Sequence, residues 1–141
     1  GSFSNALEEW AEGKLYLNWL LNRTILTMSD LPMLNTAEYL GGVVDLTGEI
    51  GRYAVASATQ RNLAQVRECF ETTSVVNNQL SLMTMQGGLR KKTGALGTNL
   101  KKMKGILYEL ALAEAGRTSR APPAGASEEA TPSGGGMDEE A

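Results

Sequence analysis

Residues 38–53 read EYLGGVVDLTGEIGRY, and this stretch decides the fold. Its apolar residues recur at helical spacing, and Asp45 and Glu49 are four residues apart, which places both carboxylates on one helix face. A second acidic pair, Glu9 and Glu12, is three residues apart on an upstream helical pattern. If the two helices pack face to face, four carboxylates converge. Proteins use such oxygen ligands to hold Mg²⁺ and to cleave phosphodiesters.

The composition excludes several classes of enzyme. The chain has 141 residues, which suits a single domain, and 42% of them are hydrophobic, enough for a core. It has no histidine, which excludes Ser-His-Asp and Cys-His catalysis and a histidine-ligated zinc site. The single cysteine, Cys69, cannot form an internal disulfide, and we expect it to be buried in a protein of a reducing compartment. No apolar run approaches the ~18 residues of a membrane span, so we expect a cytoplasmic or nuclear protein, or both.

Apolar periodicity predicts an all-α fold, an antiparallel bundle of about four long helices. The predicted helices cover residues 5–28, 36–58, 62–80 and 89–115. Pro32 separates the first two, and Asn35 or Thr36 caps the second. From residue 116 to 141 the sequence is rich in Gly, Pro, Ala, Ser, Thr and Glu, which predicts a disordered tail after a domain over 1–115.

The second predicted helix contains an unusual number of glycines. They are Gly41, Gly42, Gly48 and Gly51. Each costs roughly 1 kcal/mol against alanine inside a helix. The sequence therefore indicates either close helix packing or space beside the carboxylates for a ligand.

Basic residues accompany the acidic pairs. Arg52 lies on the same helix face as Asp45 and Glu49, and two interpretations stay open: a salt bridge to Glu49 or a contact with a phosphate. The last helix carries six further basic residues without an acid between the first and the last: Arg90, Lys91, Lys92, Lys101, Lys102 and Lys104. They form either a solvated polar face or a strip that follows the phosphates of a nucleic acid.

The same stretches resemble translin-associated factor X, a branch of the translin family. Residues 38–52 resemble its signature helix, and residues 7–12 (LEEWAE) followed by 22–28 (NRTILTM) resemble an earlier helix. Residues 91–110 resemble its last helix, so the resemblance covers about residues 6–114. The family is longer, and we expect this chain to be a C-terminal portion that lacks the N-terminal helices.

The resemblance implies an all-α subunit that joins translin in a hetero-oligomeric, barrel-like shell enclosing RNA. It implies a Mg²⁺-dependent endoribonuclease, with Mn²⁺ as an alternative, that removes nicked passenger strands during small-RNA loading and processes tRNA fragments. The family's catalytic and metal-binding carboxylates fall on Glu9, Glu12, Asp45 and Glu49. Arg52 and the basic residues of the last helix would hold the RNA backbone without reading its sequence.

Two non-catalytic interpretations stay open: a helical scaffold that binds RNA or translin, and a fragment that only assembles. Burial of the four acids on facing helices favours the nuclease, whereas exposed and scattered acids favour a scaffold. A need for a partner would show as an exposed apolar stripe on the first or fourth helix. Glu8 is expected to be a solvated or capping residue, because it lies ~100° from Glu9 on a helical wheel.

Overall fold

The computed structural model describes residues 1–120, and they form four long helices. The helices are α1 (Ser2–Asn22), α2 (Thr36–Thr59), α3 (Leu63–Ser81) and α4 (Gly87–Arg120), with a short 3₁₀ turn at Met28–Asp30. The described residues contain no strand. The predicted all-α architecture is therefore confirmed. Residues 121–141, most of the predicted tail, lie outside the described part of the chain.

Side-chain caps start α2 and α3, and the cap of α2 is Asn35, one of the two residues predicted for it. Asn35 Oδ1 accepts a 2.8 Å hydrogen bond from the Glu38 N–H, and Glu38 Oε2 accepts one of 2.9 Å from the Asn35 N–H. This reciprocal capping box satisfies two backbone donors at the start of α2. Asn62 caps α3 in a similar way, accepting a hydrogen bond from the Gln65 N–H at 3.1 Å.

The ends of α1 and α4 differ from the prediction. α1 ends at Asn22 rather than near residue 28, because Arg23 adopts a left-handed conformation with φ of 55°. Its guanidinium lies 4.3 Å from the centroid of the Trp19 ring and 5.1 Å from that of Tyr53. These cation–π contacts fix the chain where it leaves the helix. α4 begins at Gly87 and continues to Arg120, beyond the predicted end at residue 115.

The helices pack around α2, which contacts the other three. α1 runs parallel to α2, since Ser4 near the start of α1 donates to Glu38 and Trp19 near its end meets Tyr53. The connection over residues 23–35 makes this possible, because at ~3.3 Å per residue it can span the ~30 Å length of α1. Consecutive helices are antiparallel only from α2 onward, where the connections are short.

The core contains residues from all four helices. The largest fully buried side chains include Trp19, Leu15, Leu46, Ile50, Met103, Val66 and Cys69. On α4, Leu96 and Met103 are buried. Cys69 is buried as expected, and desolvation raises the pKa of its thiol to about 11. No helix among residues 1–120 has the length and apolarity to cross a membrane.

Among the α2 glycines, Gly42 and Gly51 allow close packing, whereas Gly48 leaves open space. A Cβ at Gly42 would stand 2.9 Å from the Ala11 Cβ and 3.4 Å from the Glu12 nitrogen, so Gly42 lets α1 approach α2 closely. A Cβ at Gly51 would stand 2.6 Å from the side-chain amide of Asn99 on α4. Gly48 has no atom within 4 Å of the position that a Cβ would take. It therefore leaves open space on α2.

Two alanine substitutions on α2 should change stability in opposite directions. Gly42→Ala should lower the free energy of unfolding by about 1–2 kcal/mol, because overpacking against α1 outweighs the gain in helix propensity. Gly48→Ala should raise it by about 0.5–1 kcal/mol, since the added methyl group meets no neighbour. Urea denaturation followed by circular dichroism measures both changes. Equal effects of the two substitutions would contradict the close packing of α1 on α2.

Candidate functional site

An open groove of about 730 Å³ lies between α1, α2 and α4, and charged side chains of both signs line it. α1 supplies Glu12, α2 supplies Asp45 and Arg52, and α4 supplies Lys92 and Lys102. Glu49 stands next to the groove, close enough to Glu12 for the two carboxyl groups to interact. The structure thus brings together three of the four predicted carboxylates, Glu12, Asp45 and Glu49.

Lys92 bridges two carboxylates from different helices. Its ammonium nitrogen donates to Asp45 Oδ2 at 2.8 Å and to Glu8 Oε2 at 3.0 Å. Desolvation acts to lower the pKa of Lys92, but the hydrogen bonds to Asp45 and Glu8 outweigh it, and the pKa is raised overall. Lys92 therefore stays protonated at neutral pH. It neutralises part of the acidic charge and ties α4 to α1 and α2.

Arg52 pairs with Glu49 within α2. The Arg52 Nε donates to Glu49 Oε2 at 3.2 Å, and its Nη2 donates to the other carboxylate oxygen. This hydrogen bond lowers the pKa of Glu49 from 4.5. Of the two interpretations of Arg52, the salt bridge is the one present here. The Arg52 side chain is 70% exposed, so the same guanidinium also faces the solvent.

Glu12 differs from its two acidic neighbours because it has no salt-bridge partner among residues 1–120. Desolvation raises the pKa of Glu12 from 4.5, and the negative charges of Asp45 and Glu49 raise it further. A protonated Glu12 can donate a hydrogen bond to Glu49. Glu12 therefore holds a proton more readily than an ordinary glutamate side chain.

The exposure of Glu8 and Glu9 is the reverse of what the sequence predicts. Glu9 is exposed and lies on a neighbouring groove of about 630 Å³, which also contacts Asp45 and Lys92. Glu8, expected to be solvated or a cap, is half-buried and bonded to Lys92. It lies against Gly41, where a Cβ would stand 2.9 Å from the Glu8 carboxyl carbon. Its helical position did not reveal this, because the bridging lysine comes from a distant part of the sequence.

The predicted RNA-binding residues divide into two groups. Arg52, Lys92 and Lys102 line the groove with the carboxylates. Of the others, Lys91, Lys101 and Lys104 are exposed on α4 and line neither groove, and exposed Arg90 borders a pocket between α3 and α4.

Asn99 is a groove residue that the sequence pattern missed. Its side-chain amide donates to the Thr47 carbonyl at 2.9 Å and lies against Gly51. It sets the spacing between α4 and α2 beside the acids. Gly51 is the signal in the sequence for a close partner at this point of α2, but it does not identify which residue of α4 fills the space.

The carboxylates supply the hard oxygen donors that Mg²⁺ prefers. Even so, within residues 1–120 no three Asp, Glu or Cys side chains surround a common point at which a metal ion could be held. Asp45 and Glu49 each bond to a basic side chain instead. The side chains as arranged here therefore do not fit a bound metal ion.

Comparison with known proteins assigns the chain to a family. The profile of the Translin family matches residues 1–114. The chain belongs to the translin family. This match covers all the helices that line the groove except the last residues of α4.

Two translin-family comparisons illustrate the likeness. A translin-associated protein X homolog of Schizosaccharomyces pombe is 25% identical over 120 residues, covering 79% of this chain and 52% of that protein. A solved structure described as apo-NeC3PO superimposes with a TM-score of 0.70 at 18% identity, covering 76% of this chain and 57% of the other. This structural similarity shows that the two chains share a fold. The chain spans little more than half the length of either protein.

The raised pKa of Glu12 predicts how a neutral replacement should act. A carboxyl group whose pKa is higher in the folded than in the unfolded state stabilises the fold below about pH 4.5, and this contribution disappears as the pH rises through the folded-state value. Glu12→Gln should therefore raise the Tm at pH 7 relative to the unsubstituted chain, and the gain should shrink as the pH falls to ~4.

Thermal unfolding followed by circular dichroism at several pH values checks this prediction. Glu71→Gln, on the exposed surface of α3, is the matched control and should leave the Tm unchanged. A lower Tm for Glu12→Gln at pH 7 would show that the Glu12 carboxylate stabilises the fold instead.

Proposed function

We propose that this chain is the metal-dependent endoribonuclease subunit of a hetero-oligomer with translin. In this proposal it cleaves single-stranded or nicked RNA, as in passenger-strand removal and tRNA-fragment processing, in the cytoplasm, the nucleus or both. The observation that carries the proposal is the proximity of three carboxyl groups: Glu12 and Asp45 line one groove, and Glu49 lies next to it. The proposed cofactor is Mg²⁺ or Mn²⁺, although the side chains as arranged here do not fit a bound ion. When bound, such an ion would supply Lewis-acid activation of water and charge stabilisation.

The other groove residues suit an RNA backbone. Arg52 and Lys102 lie along the same groove as the acids, and the Arg52 guanidinium is largely exposed. Arginine and lysine bind phosphates through charge and hydrogen bonds, without reading the bases. Gly48 keeps the floor of the groove low, because no side chain projects from α2 at that point. An extended strand could therefore approach the carboxylates closely.

An apolar stripe on α1 supports the partner in this proposal. Phe3, Leu17 and Leu21 are 77%, 54% and 73% exposed, and Trp10 lies between them at 39%. These residues recur at intervals of seven, seven and four and form one face of α1 that no other described helix covers. Exposed apolar stripes of this kind mark interfaces with other proteins. A translin-family helix packing on α1 would cover it.

The alternative function is a scaffold that binds RNA or translin without cutting. The pairing of Asp45 with Lys92 and of Glu49 with Arg52 favours it, since both carboxylates are neutralised by the chain itself. The two functions differ in whether cleavage accompanies binding.

Cleavage of a labelled single-stranded RNA by the chain assembled with translin separates the two functions. Cutting should require Mg²⁺, stop with EDTA, and fall by ~100-fold or more in Asp45→Asn, which keeps the size of the side chain but removes its charge. Glu71→Gln on α3 is the control and should cut normally. RNA binding without Mg²⁺-dependent cutting, in a complex shown to be assembled, would establish the scaffold function.

Two lysines of α4 offer a matched test of the RNA path. Lys102 lines the groove, whereas Lys104 is exposed on another side of the same helix. Lys102→Gln should weaken single-stranded RNA binding and reduce the slope of log K against log salt by ~0.7, one phosphate contact. Lys104→Gln should change neither quantity. Fluorescence anisotropy at several salt concentrations measures both, and equal losses from the two substitutions would place the RNA elsewhere on α4.

A further inference from the structure

The outer face of α4 is basic, and we define it by Arg90, Lys101 and Lys104. All three side chains are exposed, and none forms a salt bridge with another residue of 1–120. At ~100° per residue they project within about 60° of one another, and their mean direction is ~120° from that of the buried Leu96 and Met103. An anion that approaches α4 from solvent would therefore meet three positive charges that have no partner in this part of the chain.

Glycines leave space along this face between its charges. Gly94 and Gly97 lie between Arg90 and Lys101 in the sequence and on the same side of the helix. A Cβ at either glycine would meet no atom within 4 Å. An extended chain could therefore lie close to the backbone of α4 there without displacing a side chain.

The sequence that follows α4 has the opposite charge. Residues 121–141, which we call the acidic segment, lie outside the described part of the chain. Their sequence contains no basic residue and five acids, which are Glu128, Glu129, Asp138, Glu139 and Glu140. All 13 basic residues and the other 11 of the 16 acids fall within residues 1–120, so that part of the chain has a formal charge of +2 and the acidic segment one of −5. The two parts are complementary in charge.

The acidic segment is long enough to return along α4. Glu128 is eight residues beyond Arg120, up to ~26 Å of extended chain, and Lys104 is ~24 Å back along the helix. Asp138 is 18 residues beyond Arg120, up to ~59 Å, whereas Arg90 is ~45 Å back. The first acidic pair can therefore reach the nearer end of the outer face, and the last three acids can reach its whole length.

We infer that the acidic segment binds the outer face of α4 and keeps RNA away from it. A single surface ion pair contributes little, but several pairs on one tether reinforce one another, because the tether holds the acids at an effective concentration in the millimolar range. RNA is then directed to the groove that Arg52 and Lys102 line. The contact itself is independent of the proposed function, whereas the exclusion of RNA rests on it.

Zero-length cross-linking of the full chain tests the contact without RNA, translin or a metal ion. A carbodiimide joins a lysine amine to a carboxylate only where the two groups touch. Mass spectrometry of the monomer should find Lys101 and Lys104 linked to Glu128 or Glu129, and high salt should reduce these links because it screens exposed charges. Lys14, exposed on α1, is the control and should form no such link.

Neutralising the five acids in the full chain tests the exclusion of RNA. The variant combines Glu128→Gln, Glu129→Gln, Asp138→Asn, Glu139→Gln and Glu140→Gln. It should bind single-stranded RNA more tightly, and the slope of log K against log salt should be steeper by ~2, because three basic side chains gain phosphate contacts at ~0.7 each. Lys104→Gln, which should have no effect in the unsubstituted chain, should lower the slope by ~0.7 in this variant. A general loss of repulsion would raise the affinity without making it depend on Lys104.

The outcomes separate this inference from the proposed function. Links from the acidic segment to Lys92 or Lys102 would place it in the groove and overturn the inference, as would the absence of any link to α4. A neutralised variant whose RNA binding does not depend on Lys104 would overturn the exclusion of RNA while leaving RNA binding in the groove in place. Absence of RNA binding in every variant would overturn both the exclusion and the proposed function.

Discussion

The close approach of α2 to its neighbours is the constraint on which the groove depends. At Gly42 the backbone of α2 reaches Ala11, and at Gly51 it reaches the Asn99 side chain. Each contact exists because α2 lacks a side chain there, which lets two helices come closer than larger residues would permit. The carboxylates of Glu12 and Asp45 then open into one groove although they come from different helices.

The three carboxyl groups of Glu12, Asp45 and Glu49 repel one another when they are charged. Nearby basic residues offset most of this repulsion. Lys92 neutralises Asp45 from α4, and Arg52 neutralises Glu49 from the same helix. Glu12 keeps no such partner, and burial with two nearby negative charges raises its pKa. A fold that needed only stability would avoid three acids so close together. Such local conflicts are concentrated at functional sites, where residue types are chosen for chemistry.

Local signals determined which parts of the fold were predictable. Asn35 and Asn62 cap α2 and α3 through neighbours three residues along the chain, so the sequence shows both starts. The end of α1 depends instead on Arg23 stacking between Trp19 and Tyr53, a contact between distant segments. The parallel orientation of α1 and α2 likewise depends on the path of residues 23–35, which no periodicity describes.

The same contrast between local signals and contacts of distant segments applies to the candidate site. The spacing of Asp45 and Glu49 correctly placed two acids on one side of α2, and Glu12 joins them because α1 packs there. The spacing could not show which α1 acid faces α4. Glu8 meets Lys92 only because Gly41 leaves room for it, and Glu9 is turned towards solvent. The spacing of residues along one helix fixes the directions of their side chains relative to one another. Packing between helices determines which residue of another helix each side chain contacts.

α1 carries its half-buried acids and its exposed apolar residues on opposite sides. At ~100° per residue, Glu8 and Glu12 project roughly opposite to Trp10 and Leu17, with the buried Leu15 on the side of the acids. A partner that covered the apolar face would therefore leave the groove open to solvent and to a ligand. Because α1 packs chiefly on α2, such a partner would also hold α1 from its outer side. It would hold Glu12 close to Asp45 and Glu49. Assembly with the partner and the arrangement of the groove side chains would then both depend on α1.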